Sequence, residues 1–261
     1  MDCLLDSARR GQALSGVEII DIHGHLGRTN FCIPGVSAAA LVETMDRIGV
    51  ATSVCSSVQC FGSNPAFGNG EVADATRAYP GRILGYVVLW PDSPEAVRCE
   101  TERWFAEGFV GVKLHNANGF SYLDAAHAPA LAMANERRMP VLLHLWGRED
   151  EMAEARELAE TYSRASILLA HSGSQHTERY VTLARDLENV HLDLCLSLGR
   201  RGLVEQLVAE AGAEKVLWGS DATFLSMTHQ FGKVVGAQLS EDEKRQVLGG
   251  NARRLLDRIE R

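Results

Sequence analysis

Residues 18–27 read EIIDIHGHLG, an apolar run that ends in Asp21, His23 and His25. Its continuous hydrophobic start is the pattern of a parallel strand covered on both faces. Side chains two apart on a strand share a side, so His23 and His25 can converge on one point. Gly24 between them adds no side chain to the site. Neutral imidazole is a good ligand for zinc and related divalent ions. Asp21, two residues before His23, is expected one layer deeper on the same face, supporting a ligand rather than being one. A histidine at one strand end is more often only hydrogen-bonded, so this stretch needs the rest of the chain to decide it.

Runs of the same kind recur along the chain: TSVCSSV (52–58), RILGYVVL (82–89), FVGVKLH (109–115), PVLLHL (140–145), SILLAHS (166–172), VHLDLCL (190–196) and KVLWGSD (215–221). Helical stretches lie between them with their own start and stop signals. SAAALVETMDRIG begins at Ser37 and stops at Gly49. DSPEAVRCETERWFAEG has Asp92 or Ser93 as its N-cap, Pro94 in its first turn and Gly108 past its end. REDEMAEARELAETYSRA loads acids into its first turn, which suits the helix dipole. A Ser240 cap with Glu243 at the capping-box position opens the last helical stretch. No linker or low-complexity segment interrupts the alternation. The strand count over 261 residues predicts an α/β fold, a single (β/α)8 TIM barrel, with residues 1–261 forming one domain. The other arrangement, an open doubly wound sheet, would want a Gly-rich first loop, and GHLGR lacks the GxGxxG spacing.

Composition limits the partners. Hydrophobic residues make up 46% and charged residues 23%, with a formal net charge of -8. An acidic chain with no block of Lys or Arg is a poor binder of nucleic acid or anionic membrane. The 6 cysteines form no CxxC pair and are too sparse for a disulfide scaffold, which points to reduced, mostly buried thiols. The opening MDCLLDSARRGQALSG does not read as a signal peptide, and no apolar run is long enough to span a bilayer. A cytoplasmic protein is therefore expected. No segment identifies a homo-oligomer interface, and self-association stays open.

A barrel places its chemistry at the C-terminal ends of its strands. His23 and His25 end strand 1, Lys113 and His115 end strand 4, His144 ends strand 5, His171 ends strand 6, and Asp221 ends strand 8. Each follows an apolar run, where an unpaired polar group is costly. His23, His25, His144, His171 and Asp221 stand at equivalent positions in a repeating pattern, and that repetition makes a metal site the preferred reading. Lys113 has three open roles: carbamylated and bridging two metals, cationic against a substrate anion or Asp221, or paired structurally. Arg28 and Arg148, in the loops after strands 1 and 5, can hold a substrate carboxylate bidentately or simply face solvent. Trp90, Trp146 and Phe224 fall in mouth loops and can wall a pocket. His127, His176 and His191 read as structural or surface residues, with His191 at the opposite end of the barrel. His229, after strand 8, stays open.

DIHGHLG, GFVGVKLH, PVLLHLWG, ILLAHSG, VLWGSDAT and VLGGNARRLL resemble, in order and spacing, the amidohydrolase superfamily. The nearest likeness is to its amidohydrolase-related branch of TIM-barrel metal-dependent hydrolases, which also includes decarboxylases. The resemblance covers nearly the whole chain. It implies metal ligation by His23, His25, His144 and Asp221, with one ion favoured over two and zinc favoured over manganese. It implies that His171 orients or activates water and that Asp221 binds metal or shuttles the proton. Lys113, His115, Arg28 and Trp146 would then face the substrate. Asn251 and its neighbours match a closing helix that serves stability. GSDATF departs from the branch, where an aromatic residue and a proline often follow the Gly-Ser-Asp.

The expected function is a metal-dependent hydrolase that activates water against an amide, lactone or ester of a small molecule. The alternative is a metal-dependent decarboxylase of an aromatic or unsaturated acid, with Asp221 protonating the carbanion. A further alternative is a non-catalytic metal-binding barrel, against which stands the filled set of acid and base positions.

Overall fold

Eight strands form one parallel sheet in sequence order: β1 (Ile19–Leu26), β2 (Val50–Ser57), β3 (Ile83–Val88), β4 (Gly111–Leu114), β5 (Pro140–Leu143), β6 (Ser166–Leu169), β7 (Val190–Asp193) and β8 (Val216–Leu217). The computed structural model describes residues 3–14, 16–28, 32–61, 64–116, 119–196 and 199–260. The ends of the sheet meet beyond β8. Ile22 N donates to Trp218 O at 3.1 Å, Asp221 N donates to His23 O at 2.7 Å, and Gly24 bridges Ala222. The result is the single (β/α)8 TIM barrel that the alternation predicts.

The strands split their apolar side chains between two clusters. Ile20, Ile22, Val54, Tyr86, Leu142, Leu168 and Leu217 fill the barrel interior. Val112, Val141, Leu143, Ile167, Leu169, Val190 and Leu192 face the surrounding helices. Both faces of the sheet are dry, which is why the strands read as unbroken apolar runs.

β1 breaks its own alternation. Asp21 pairs with Ser53 and Gly24 pairs with Cys55, so β1 carries one extra residue there. Ile20 and Ile22 pack inside, and after the bulge His23 and His25 do so too. Asp21 therefore does not stand beneath His23 on one face. It turns to Ser53 and Ser220, whose hydroxyls each donate to Oδ2 at 2.7 Å, and its Oδ1 accepts from Ser220 N at 2.8 Å and His23 N at 3.1 Å. Gly24 is needed on that same side. A Cβ there would lie 2.4 Å from Ser53 Oγ and 2.9 Å from Cys55 Sγ.

The helices surround the barrel: α1 (Cys3–Arg9), α2 (Ala38–Ile48), α3 (Pro65–Ala78), α4 (Pro94–Ala106), α5 (Ala128–Glu136), α6 (Glu149–Thr161), α7 (Thr177–Asp186), α8 (Leu203–Ala211), α9 (Met227–Val235), α10 (Glu241–Arg245) and α11 (Asn251–Asp257). Ser37 and Ser93 cap α2 and α4 through Ala40 N and Ala96 N, and Gly49 ends α2 at φ 87°. Ser240 and Glu243 form the capping box of α10. A π-helical turn, Gln246–Gly250, leads into α11.

α11 closes the bottom of the barrel. Ala252 and Leu255 join the interior cluster. Asn251 Nδ2 donates to Ala213 O at 2.7 Å and Val216 O at 2.8 Å, tying α11 to the start of β8. Catalytic access is thereby left to the other end. Of the free cysteines, Cys55, Cys60 and Cys195 are buried and Cys3, Cys32 and Cys99 are exposed, an even split rather than the mostly buried set expected. Among the described residues, no helix is long and apolar enough to cross a membrane.

Candidate metal and substrate site

His23, His25 and Asp221 meet at the open end of the barrel. The two imidazole Nε2 atoms are 3.1 Å apart. Asp221 Oδ1 is 3.0 Å from His25 Nε2 and 3.8 Å from His23 Nε2. The outer nitrogens are held from behind. His23 Nδ1 is 2.7 Å from Asp193 Oδ2, and His25 Nδ1 is 3.2 Å from Ser56 Oγ. A carboxylate on Nδ1 keeps the proton there and leaves the Nε2 lone pair of His23 facing the centre.

Lys113 enters from β4, fully buried, with Nζ 3.0 Å from His23 Nε2. Burial pulls its pKa down to about 8, against the opposing charges of Asp221 and Asp193. Burial and the Lys113 charge push His23 well below the ordinary histidine value. Burial raises Asp221, but the His25 hydrogen bond and the neighbouring imidazoles outweigh it and hold the carboxyl below its ordinary range. His23 is thus neutral and Asp221 ionised at neutral pH.

This donor set fits a divalent cation. Two imidazole nitrogens and one carboxylate oxygen lie within 4.8 Å of one another, close enough to share one ion. Zinc and manganese are both compatible with a nitrogen and oxygen set of this kind.

His144 stands one step away. Its Nδ1 is 3.1 Å from His171 Nε2, and its ring stacks on His115 with centroids 3.8 Å apart. It lies outside the tight cluster of His23, His25 and Asp221. His171 is fixed from β7, with Nδ1 2.6 Å from Cys195 O, and Trp146 stacks on its ring at 4.7 Å. Burial lowers the pKa of His144 and His171, and takes His115 down to about 2. His171 and Asp221 both take left-handed backbone conformations, at φ 56° and 53°. Non-glycine residues pay for that geometry, and such residues concentrate at working sites.

The mouth has aromatic walls. Phe61 and Phe224 lie 5.6 and 5.5 Å from the His25 ring, and Phe61 lies 4.3 Å from His115. Trp146 remains 40% exposed, so one face of its ring is available to a ligand. Its loop is pinned by Glu151, which is buried on α6. Glu151 Oε2 accepts from Trp146 N at 2.8 Å and Arg148 N at 3.2 Å, and Oε1 accepts from Asn116 Nδ2 at 2.7 Å.

The arginines stand apart from the donor set. Arg28 is exposed and lines a cavity of about 530 Å³ with Glu71. Arg148 is exposed and paired with Asp150 at 2.7 Å, at the edge of a second cavity of about 510 Å³ that reaches His144 and Trp146. Asp193 is the residue that sequence reasoning passed over. A lone aspartate in the apolar run VHLDLCL was its signal, because an unpaired buried carboxylate is costly. His229 is exposed on α9, His176 is exposed, and His127 is buried away from the site.

Barrel and donor set together define a β/α-barrel enzyme class built around a divalent metal. The family model described as Amidohydrolase matches residues 20–258, and the chain belongs to that family. Solved structures with the same fold include 2,6-dihydroxybenzoate decarboxylase complexed with 2,6-dihydroxybenzoate, at 17% identity and TM-score 0.75, covering 94% of this chain and 99% of that one. The 5-carboxyvanillate decarboxylase of Sphingomonas paucimobilis matches at 16% identity and TM-score 0.71, covering 94% and 100%. A dihydroxybenzoic acid decarboxylase from Polaromonas sp. JS666, with bound manganese and the inhibitor 2-nitroresorcinol, matches at 17% identity and TM-score 0.71, covering 94% and 97%. No curated protein matches the chain by sequence.

Proposed function

We propose that the chain is a metal-dependent decarboxylase of a small aromatic or otherwise unsaturated carboxylic acid. The observation that carries this reading is the aromatic lining of the mouth, where Phe61 and Phe224 pack beside His25 of the donor set and Trp146 stacks on the neighbouring His171. Such a lining suits a planar ring, with its carboxylate turned toward the positive end of the site. The decarboxylase neighbours support the same choice over the hydrolase expected first.

His23, His25 and Asp221 would hold the metal, with His144 the further candidate from β5. A bound divalent metal supplies positive charge against the oxygens of the substrate. Manganese, present in a neighbour of this fold, is as acceptable as zinc. The C–CO2 bond breaks, carbon dioxide leaves, and the electron pair remains on the ring carbon, which then takes a proton. Asp221 is ionised at rest, so it first accepts a proton from the substrate hydroxyl or from water and then returns it to carbon. His171, whose Nδ1–H donates to Cys195 O and whose ring is covered by Trp146, offers Nε2 as an acceptor to a substrate hydroxyl and fixes its plane. Lys113 stays positive at neutral pH and counters the substrate anion.

The test is a panel of hydroxybenzoates and unsaturated acids, run on manganese- and zinc-loaded protein in D2O. Carbon dioxide release with one deuterium at the vacated carbon is the expected result. Hydrolysis of lactones, esters or amides without carbon dioxide would restore the hydrolase reading. A metal-loaded protein that turns over neither set would restore the non-catalytic barrel. Asp221→Asn should lower kcat by about 100-fold or more.

A further inference from the structure

The closed end of the barrel carries a further cavity, of about 770 Å³, between the ends of α6 and α7, the start of β7 and one side of α11. His191 lines it from β7. The residue is 5% exposed, yet neither Nδ1 nor Nε2 has a hydrogen-bond partner. A buried imidazole with both nitrogens unmatched is costly, and it marks a place where a polar group belongs.

The charges around it are uneven. Lys215, Arg254 and Arg258 line the same cavity and all act on His191 in the same sense, lowering its pKa. Among the described residues, Lys215 Nζ donates to the carbonyls of Leu187, Glu188 and Val190, at 3.0, 2.7 and 3.4 Å. Arg254 donates to Asn251 Oδ1 at 3.1 Å and to Glu214 O at 2.9 Å. These hydrogen-bond acceptors are neutral, so neither cation is held by a carboxylate hydrogen bond, and Glu188 and Glu214 offset the Lys215 charge only through space. Among the described residues, Arg258 forms no ion pair. The carboxylates nearby are engaged elsewhere or turned to Lys215. Asp186 and Glu160 pair with Arg156 at 2.6 and 3.6 Å, and Glu188 and Glu214 act on Lys215. Arg138 and Arg164, on the far wall, share Glu260.

We propose that this cavity is a binding site for a small phosphate-class anion, seated between the His191 ring and Lys215, Arg254 and Arg258. A phosphate group offers several acceptor oxygens and up to two charges, matching an imidazole N–H from β7 and cations from the turn before β8 and from α11. A single carboxylate would leave more of that charge unmatched. The site lies at the end opposite the metal donors, so an anion bound here would not occupy the substrate mouth.

The experiment uses metal-loaded full-length protein and titrates inorganic phosphate and then pyrophosphate. Ring nitrogen chemical shifts of the histidines are followed by NMR, with sodium chloride at matched ionic strength as the control. Saturable movement of the His191 ring, absent with sodium chloride, is the expected result. Arg258→Gln should weaken phosphate binding by about tenfold, the effect of losing one charge-assisted contact. His191→Gln should weaken it without changing turnover. Phosphate that moves only the His23, His25, His144 or His171 rings would overturn the proposal, because the anion would then be binding at the metal. An unmoved His191 ring at 10 mM phosphate, about the limit of a useful weak site, would overturn it as well, leaving water as the partner of the imidazole.

Discussion

At the residue scale, the chemistry of His23 is decided by Asp193. An imidazole can ligate only through a nitrogen that carries no proton, and the partner on the other nitrogen selects which one that is. Asp193 Oδ2 at 2.7 Å from Nδ1 makes that selection. Cys195 Sγ, 2.8 Å from both His23 Nδ1 and Asp193 Oδ2, packs the same side. Asp193→Asn keeps the shape but offers an amide in place of a carboxylate. It should lower metal affinity by about 10- to 100-fold, the usual cost of losing such a partner. Competition against a chromophoric chelator measures this, with circular dichroism as the check on folding. Affinity equal to the parent's would remove Asp193 from the ligand-orienting role. Nothing in the spacing of the sequence shows this residue meeting His23, because the contact joins positions 170 residues apart and exists only once barrel closure brings β7 and β1 to either side of β8.

At the element scale, the ends of β1 and β8 set the height of the site. Gly219 lies just past β8 and lets that strand pass close to its neighbours. A Cβ there would sit 2.2 Å from Asp193 Oδ1 and 2.8 Å from His23 Cβ. Asp193 is fully buried and has nowhere to swing. Gly219→Ala should therefore cost about 1–3 kcal/mol of stability by overpacking. It should also weaken metal binding, and urea unfolding of the metal-free protein separates the two effects. Glu151 acts at the same scale, joining the loops after β4 and β5 to α6. Glu151→Ala leaves the N–H groups of Trp146 and Arg148 without their acceptor and should cost about 2 kcal/mol. A rise in KM beyond the fall in kcat would show that the position of Trp146 matters to substrate. The strands themselves were legible because burial on both faces writes a continuous apolar run into each of them. Helix caps at Ser37, Ser93 and Ser240 were legible because capping is local chemistry. The bulge in β1 was not, since it is a register shift against β2, and the i, i+2 rule placed Asp21 on the wrong face. His23, His25 and Asp221 could be read because they end strands. The separation of His144 from them could not, because it depends on how His171 and His115 pack around its ring.

At the scale of the whole molecule, burying neutral imidazoles ties stability to pH. His191 is the cleanest case because it lies far from the metal donors. Burial, reinforced by Lys215, Arg254 and Arg258, takes its folded pKa down to about 3, from an unfolded value near 6.5. Between those values the unfolded chain binds a proton that the folded chain refuses. Stability is therefore full above about pH 6.5 and is lost as pH falls toward the folded pKa. The slope from one such group is about 1.4 kcal/mol per pH unit, so roughly 2–3 kcal/mol should disappear between pH 6.5 and 4.5. His115, His144 and His171 act in the same direction. Asp21 and Asp193 act oppositely, because burial raises their folded pKa values, but only below the pH at which those carboxyls begin to take protons. Urea midpoints for metal-loaded protein in phosphate-free buffer should fall steadily from pH 7 to pH 4.5. His191→Gln, which removes the titrating ring and keeps a polar side chain, should flatten that fall by about one group's slope. An unchanged slope in the variant would mean that His191 is already protonated or already paired in the folded protein. Added phosphate should also flatten the slope in the parent and leave the variant unmoved, since an anion beside the ring makes its protonated form tolerable.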